Sequence, residues 1–196
     1  MNFTRSLQLA LIFVFTIVIS ACGGSSTGDN PSPNKQKRVA ISDMKFTDAN
    51  LEDCVKETGY IYNDEVAELD CKDAQIRDVS SLAMFANLET LNLDGNNLVT
   101  DITPLALLTN LEALNILTNE GTVSDISPLA SLYNLKELHV GSNKITDITS
   151  LASLNNLEIL GIYSNQITDI SRLALLTNLK KLSVRVNQVA DITHLA

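Results

Sequence analysis

"LKELHVGSNKI", Leu135 to Ile145, and "LEILGIYSNQI", Leu157 to Ile167, decide the fold. Both place aliphatic residues at the first, fourth and sixth positions and Asn at the ninth, and they start 22 residues apart. Leu160 and Ile162, two apart, fit a short strand with one buried face. The same pattern runs outward in both directions. "VAELDCKDAQI" starts at Val66, "LETLNLDGNNL" at Leu88, "LEALNILTNEGTV" at Leu111 and "LKKLSVRVNQV" at Leu179. Successive starts lie 22, 23, 24, 22 and 22 residues apart. Asn96, Asn119, Asn143, Asn165 and Asn187 hold the ninth position, where the first copy has Ala74.

One such unit cannot bury its apolar side alone, whereas stacked neighbours make a continuous core. Adjacent strands at ~4.8 Å predict a parallel sheet about 24 Å wide. The ninth-position Asn turns the chain inward, and its amide can bond backbone groups that the turn leaves unpaired. The second half of each unit reads "TDISxLAxLxNL". Its Asp recurs as Asp78, Asp101, Asp125, Asp147, Asp169 and Asp191, placed to accept N–H bonds at the start of a helical turn. Leu151 and Leu154, three apart, fit a 3₁₀-like segment, and Pro128 suits the start of one. Asn87, Asn110, Asn134, Asn156 and Asn178 precede the strands and are expected to close those turns.

These six copies resemble the leucine-rich repeat in its 22-residue bacterial form, seen in internalin-like proteins. The resemblance implies an α/β solenoid with a concave parallel sheet, convex 3₁₀ or short helical turns, and a ladder of the ninth-position Asn residues. Residues 66–196 would hold about six repeats, the last incomplete. The sixth unit stops at Ala196, which predicts an open final layer near Leu182 to Val184 in a chain that continues or is covered by another molecule. The additions at Val99 and in "NEGTVSDI", Asn119 to Ile126, are expected as bulges, with Gly121 allowing an outward excursion. Residues 45–65 read as an N-terminal cap. Phe46, Leu51, Cys54 and Val55 have largely helical spacing, Asp48 can cap that helix and Gly59 can end it.

Before the cap, Leu7 to Ile19 is an apolar run after Arg5, shorter than a membrane span. "ISAC", Ile19 to Cys22, resembles the bacterial lipobox. That resemblance implies a signal peptide over residues 1–21, lipid on Cys22 and, with Gly23 following, the outer membrane of the cell envelope. Residues 22–44 read as a flexible, Gly-, Ser- and Pro-rich tether. Cys54 and Cys71, 17 residues apart, form a disulfide or stay as two buried thiols; the bridge is the expectation in an exported chain.

A net charge of -9 argues against nucleic acid. There is no phosphate loop, no metal-binding spacing and no set of catalytic partners, so the reading is neither an enzyme nor a cofactor protein. Residues facing out between the buried strand positions line the concave side. One row holds Asp70, Asn92, Asn115, His139, Gly161 and Ser183, and the next Lys72, Asp94, Leu117, Gly141, Tyr163 and Arg185. His139, Tyr163 and Arg185, with Leu117 and Ile159 as apolar anchors, are the binding candidates, and the expected ligand is a protein. The alternatives are a structural envelope scaffold without a strong ligand, or an adhesion or host-recognition factor.

Overall fold

The computed structural model describes residues 37–118 and 121–193. Cys22, the expected signal peptide, the tether up to residue 36, and Asn119 lie outside these residues. Six strands follow one another: β1 Glu68–Asp70, β2 Thr90–Asn92, β3 Ala113–Asn115, β4 Glu137–His139, β5 Ile159–Gly161 and β6 Lys181–Ser183. They pair in parallel, in chain order, with Leu69, Leu91, Leu114, Leu138, Leu160 and Leu182 in register. Each of these leucines points inward, so the two strand residues beside it face the other way.

Between strands the chain returns through 3₁₀ turns at Ser80–Met84, Thr103–Leu107, Ser127–Ser131, Thr149–Ser153 and Ser171–Leu175. A 3₁₀ turn rises about 2.0 Å per residue against about 1.5 Å in an α-helix, so few residues cross the width of a coil. Its three-residue period also puts Leu151 and Leu154 on one side, and both are buried, like Leu105 with Leu108 and Leu129 with Leu132. Asp78, Asp101, Asp125, Asp147, Asp169 and Asp191 each accept the backbone N–H two residues ahead, just where the turn begins.

Two series of asparagine amides join the coils. Asn165 Nδ2 donates to the carbonyl of Ile162 in its own coil and to that of Val140 in the coil before, while its Oδ1 accepts from Ile145 N–H. Asn96, Asn143 and Asn187 repeat this three-way arrangement. In the third coil the described residue at this bend is Thr118. It is fully buried, and its hydroxyl donates to the Ser142 carbonyl. The second series corrects the sequence reading. Asn87, Asn110, Asn134, Asn156 and Asn178 do not close their own turns. Each donates to a carbonyl of the preceding coil: Asp64, Ala86, Thr109, Tyr133 and Asn155.

The second coil differs from expectation in which residue it buries. Val99, not Leu98, enters the core, and Leu98 is pushed into solvent by the added residue. Gly121 has φ +64°. It is buried, and a Cβ there would approach the Asn143 backbone at 3.3 Å.

The cap contains α1, Ala49–Glu57, with Leu51 and Val55 fully buried. Asp48 Oδ1 accepts from Asn50 and Leu51 N–H, and Gly59 follows the helix at φ +77°. Asp48 Oδ2 accepts from Arg77 and Asp78 N–H, tying the helix start to the first coil. Cys54 on α1 is bonded to Cys71, just after β1, with Cα atoms 5.7 Å apart. Residues 38–44, expected as part of the tether, pack against the cap instead. Ala40 bridges Tyr62, Ile41 and Met44 are buried, and Arg38 pairs with Asp64 and Glu65 while lying 3.9 Å from the Tyr62 ring centre. Apolar Ile41 and Met44 supply the packing that a Gly- and Ser-rich tether lacks.

Candidate functional site

The parallel register sets three rows of side chains on the concave face. Glu68, Thr90, Ala113, Glu137, Ile159 and Lys181 are aligned in one, and Asp70, Asn92, Asn115, His139, Gly161 and Ser183 in another. The third lies just past the strands, at Lys72, Asp94, Leu117, Gly141, Tyr163 and Arg185. Every position repeats at the spacing of adjacent coils, so each side chain meets its counterparts one coil away.

At the first two coils the face is polar and internally paired. Lys72 Nζ lies 2.6 Å from Asp94 Oδ2, and that hydrogen bond raises the Lys72 ammonium above its ordinary range. Asn92 Nδ2 donates to Asp70 Oδ1 at 2.8 Å.

Further along, two glycines create room. At Gly141 the space a Cβ would take is bounded by the Tyr163 ring and by Leu117 Cδ1, at 2.9 and 3.1 Å. At Gly161 the same space meets His139 Nδ1, and His139 Nε2 is 2.7 Å from Glu137 Oε1. The Arg185 guanidinium stands 5.3 Å from the Tyr163 ring centre, within cation–π range. Leu117, Tyr163 and Arg185 therefore form one group, and His139 a second beside it. Ile159 sits in the outer row between Glu137 and Lys181.

An open depression of roughly 350 Å³ adjoins His139, lined by Thr90, Asn92, Ala113, Asn115 and Glu137. Ala113 was missing from the candidates read in the sequence. Its signal is a short side chain in a row where Thr90 and Glu137 flank it.

The carboxylates with displaced proton affinities lie elsewhere and hold backbone. Burial alone would raise Asp48, yet its four N–H donors outweigh this and keep it below the ordinary aspartate value. Asp78, Asp101 and Asp147 are lowered first by the hydroxyls of Ser80, Thr103 and Thr149 and then by the N–H groups of the same residues. These groups stabilise turns.

Comparison with known proteins agrees with this architecture. The family described as "Leucine Rich repeats (2 copies)" matches residues 65–107 and 155–196. Internalin C2 of Listeria monocytogenes is similar in structure at 28% identity and a TM-score of 0.60, over 84% of this chain and 95% of that one. The chain folds as a leucine-rich-repeat solenoid, and its repeats are similar to the internalin-type repeats of bacteria. The leucine-rich-repeat protein LIC12759 of Leptospira interrogans aligns at 28% identity and a TM-score of 0.50, over 57% of this chain and 29% of that one. The ectodomain of the Arabidopsis thaliana receptor kinase GASSHO1/SCHENGEN3 shares the fold at 22% identity and a TM-score of 0.57, over 64% of this chain and 16% of that one. No curated protein matches the sequence significantly.

Proposed function

We propose that this protein is a lipid-anchored component of a bacterial cell envelope, of the outer membrane in particular, and binds a protein partner through its concave face. The observation that carries the binding reading is the group formed by Leu117, Tyr163 and Arg185 around Gly141. Leu117 and Tyr163 are half-exposed on an otherwise regular sheet, and the asparagine series meets Tyr163 at its backbone carbonyl, leaving the ring on the concave face. Tyr and Arg beside an apolar side chain, within a polar rim, have the composition of an interface hot spot. His139 and Ile159 extend the contact to the neighbouring rows. Similarity to internalin C2 supports a place at the bacterial surface, and the Leu7 to Ile19 run followed by "ISAC" supports lipid on Cys22.

Crosslinking from intact cells tests the binding. The wild type should capture a protein that the Tyr163→Ala, Arg185→Ala double variant does not, and equal capture by both would sink the reading. Anchorage has a separate test. A labelled lipid precursor should tag the wild type and leave Cys22→Ala unlabelled.

A further inference from the structure

We infer that the concave face is electrically bipolar and receives an extended segment of the partner protein, held with its acidic end over β6 and its basic end over β1. The inference rests on the concave-face reading and adds the partner's form, charge pattern and orientation.

Charge is sorted along the face. The first coil presents Glu68 and Asp70, with Lys72 already paired to Asp94 of the second. At the far side the sixth coil presents Lys181 and Arg185, and among the described residues neither lies within ion-pair distance of a carboxylate. In the middle coils the only carboxylate on these rows is Glu137, which His139 contacts. Ala113, Asn115, Leu117, Gly141, Ile159, Gly161 and Tyr163 make up the rest, a neutral and partly apolar floor.

This order matches a chain rather than a point ligand. Five strand steps of ~4.8 Å separate β1 from β6, about 24 Å, which about seven extended residues span at about 3.3 Å each. An apolar residue near the middle of such a segment would reach the half-exposed surface of Leu117 and Tyr163. Carboxylates at one end would meet Lys181 and Arg185, the latter already held over an aromatic ring. The opposite orientation sets like charges against each other at both ends, and repulsion of that kind selects a binding direction.

The test pans random displayed twelve-residue peptides on the full-length protein. Enriched peptides should carry acidic and basic residues in separate clusters about seven positions apart, with apolar residues between. Binding should fall at least about tenfold with Lys181→Glu plus Arg185→Glu, and return when the peptide's acidic residues are changed to Lys. Both substituted residues are at the surface or half-exposed, and unchanged thermal unfolding of the variant confirms that only recognition has changed. Peptides that lose binding on Tyr163→Ala but ignore the charge reversal overturn the bipolar inference and leave the concave-face reading standing. Peptides insensitive to every concave substitution overturn both, and absence of any enrichment overturns the extended-segment inference.

Discussion

Tyr163 occupies the space above Gly141 that a side chain there would need, since a Cβ on Gly141 would stand 2.9 Å from the ring. Gly141→Ala is therefore expected to displace Tyr163 and disturb its contact with Arg185. The solenoid should still form, at a cost of about 1–3 kcal/mol from overpacking. Urea unfolding gives the stability, and capture of the partner gives the binding, which should fall together with that of Tyr163→Ala.

Asn165→Ala strips partners from the Ile145 N–H and the Val140 and Ile162 carbonyls. The Ile145 N–H is left buried without its partner, while the two carbonyls keep the amides of Asn143 and Asn187, so the expected loss is about 1–3 kcal/mol. Asn187→Ala should cost less, because Asn187 is half-buried and water reaches the same groups. The urea midpoints of the two variants, with unchanged slope, order them.

Val186 has φ +56° at the position filled by Ser142, Ser164 and Gly95 in other coils. A β-branched residue is strained in that region. Val186→Gly should stabilise the protein by about 1 kcal/mol, and Ser164→Val should destabilise it by a similar amount. A higher melting temperature for the first and a lower one for the second would support this. No change in either would show that the coil relaxes the strain.

Opening the Cys54–Cys71 bond should cost about 3 kcal/mol, because the bond closes a short loop. The loss should be the same for reduction and for the double Cys→Ala variant. Amide exchange should rise first in α1, which the bond holds against the start of the sheet.

Asp48 supplies a pH dependence of known sign. Its carboxyl is lowered in the folded protein from the ordinary 3.8. Its contribution is therefore present above that value and is lost as the pH falls through the lower folded one. Asp48→Asn should be less stable at neutral pH and should lose less stability than wild type on acidification below about pH 4. Parallel acid unfolding curves for the two proteins would contradict this assignment.

The regular part of the fold was legible because each position has one physical task. An inward Leu, an Asp before a turn and an Asn at a bend recur at nearly fixed spacing, so six copies reinforce one another. The irregular places were not legible. Nothing in "NNLVTDI" tells whether Leu98 or Val99 enters the core; the outcome depends on how the added residue is absorbed. Thr118 could not be told from the outward Ser142 and Ser164 of its register, although a β-branched residue is a poor occupant of the left-handed backbone they adopt. Arg38 to Met44 looked like tether because Ile41 and Met44 show no period over so short a stretch. On the concave face the rows could be written down in advance. The nesting of Tyr163 over Gly141 and of His139 over Gly161 depends on side-chain direction, which spacing does not carry.

The bonds from the asparagine amides to other coils reach back 20 to 27 residues, and each completes a coil already made. The two bonded cysteines are only 17 residues apart. A chain delivered gradually from its N-terminus, from a ribosome or through a narrow channel, could thus lock its first layer before the later ones emerge. Each new stretch of some two dozen residues then finds its docking partner already assembled, so growth needs no distant segment to arrive.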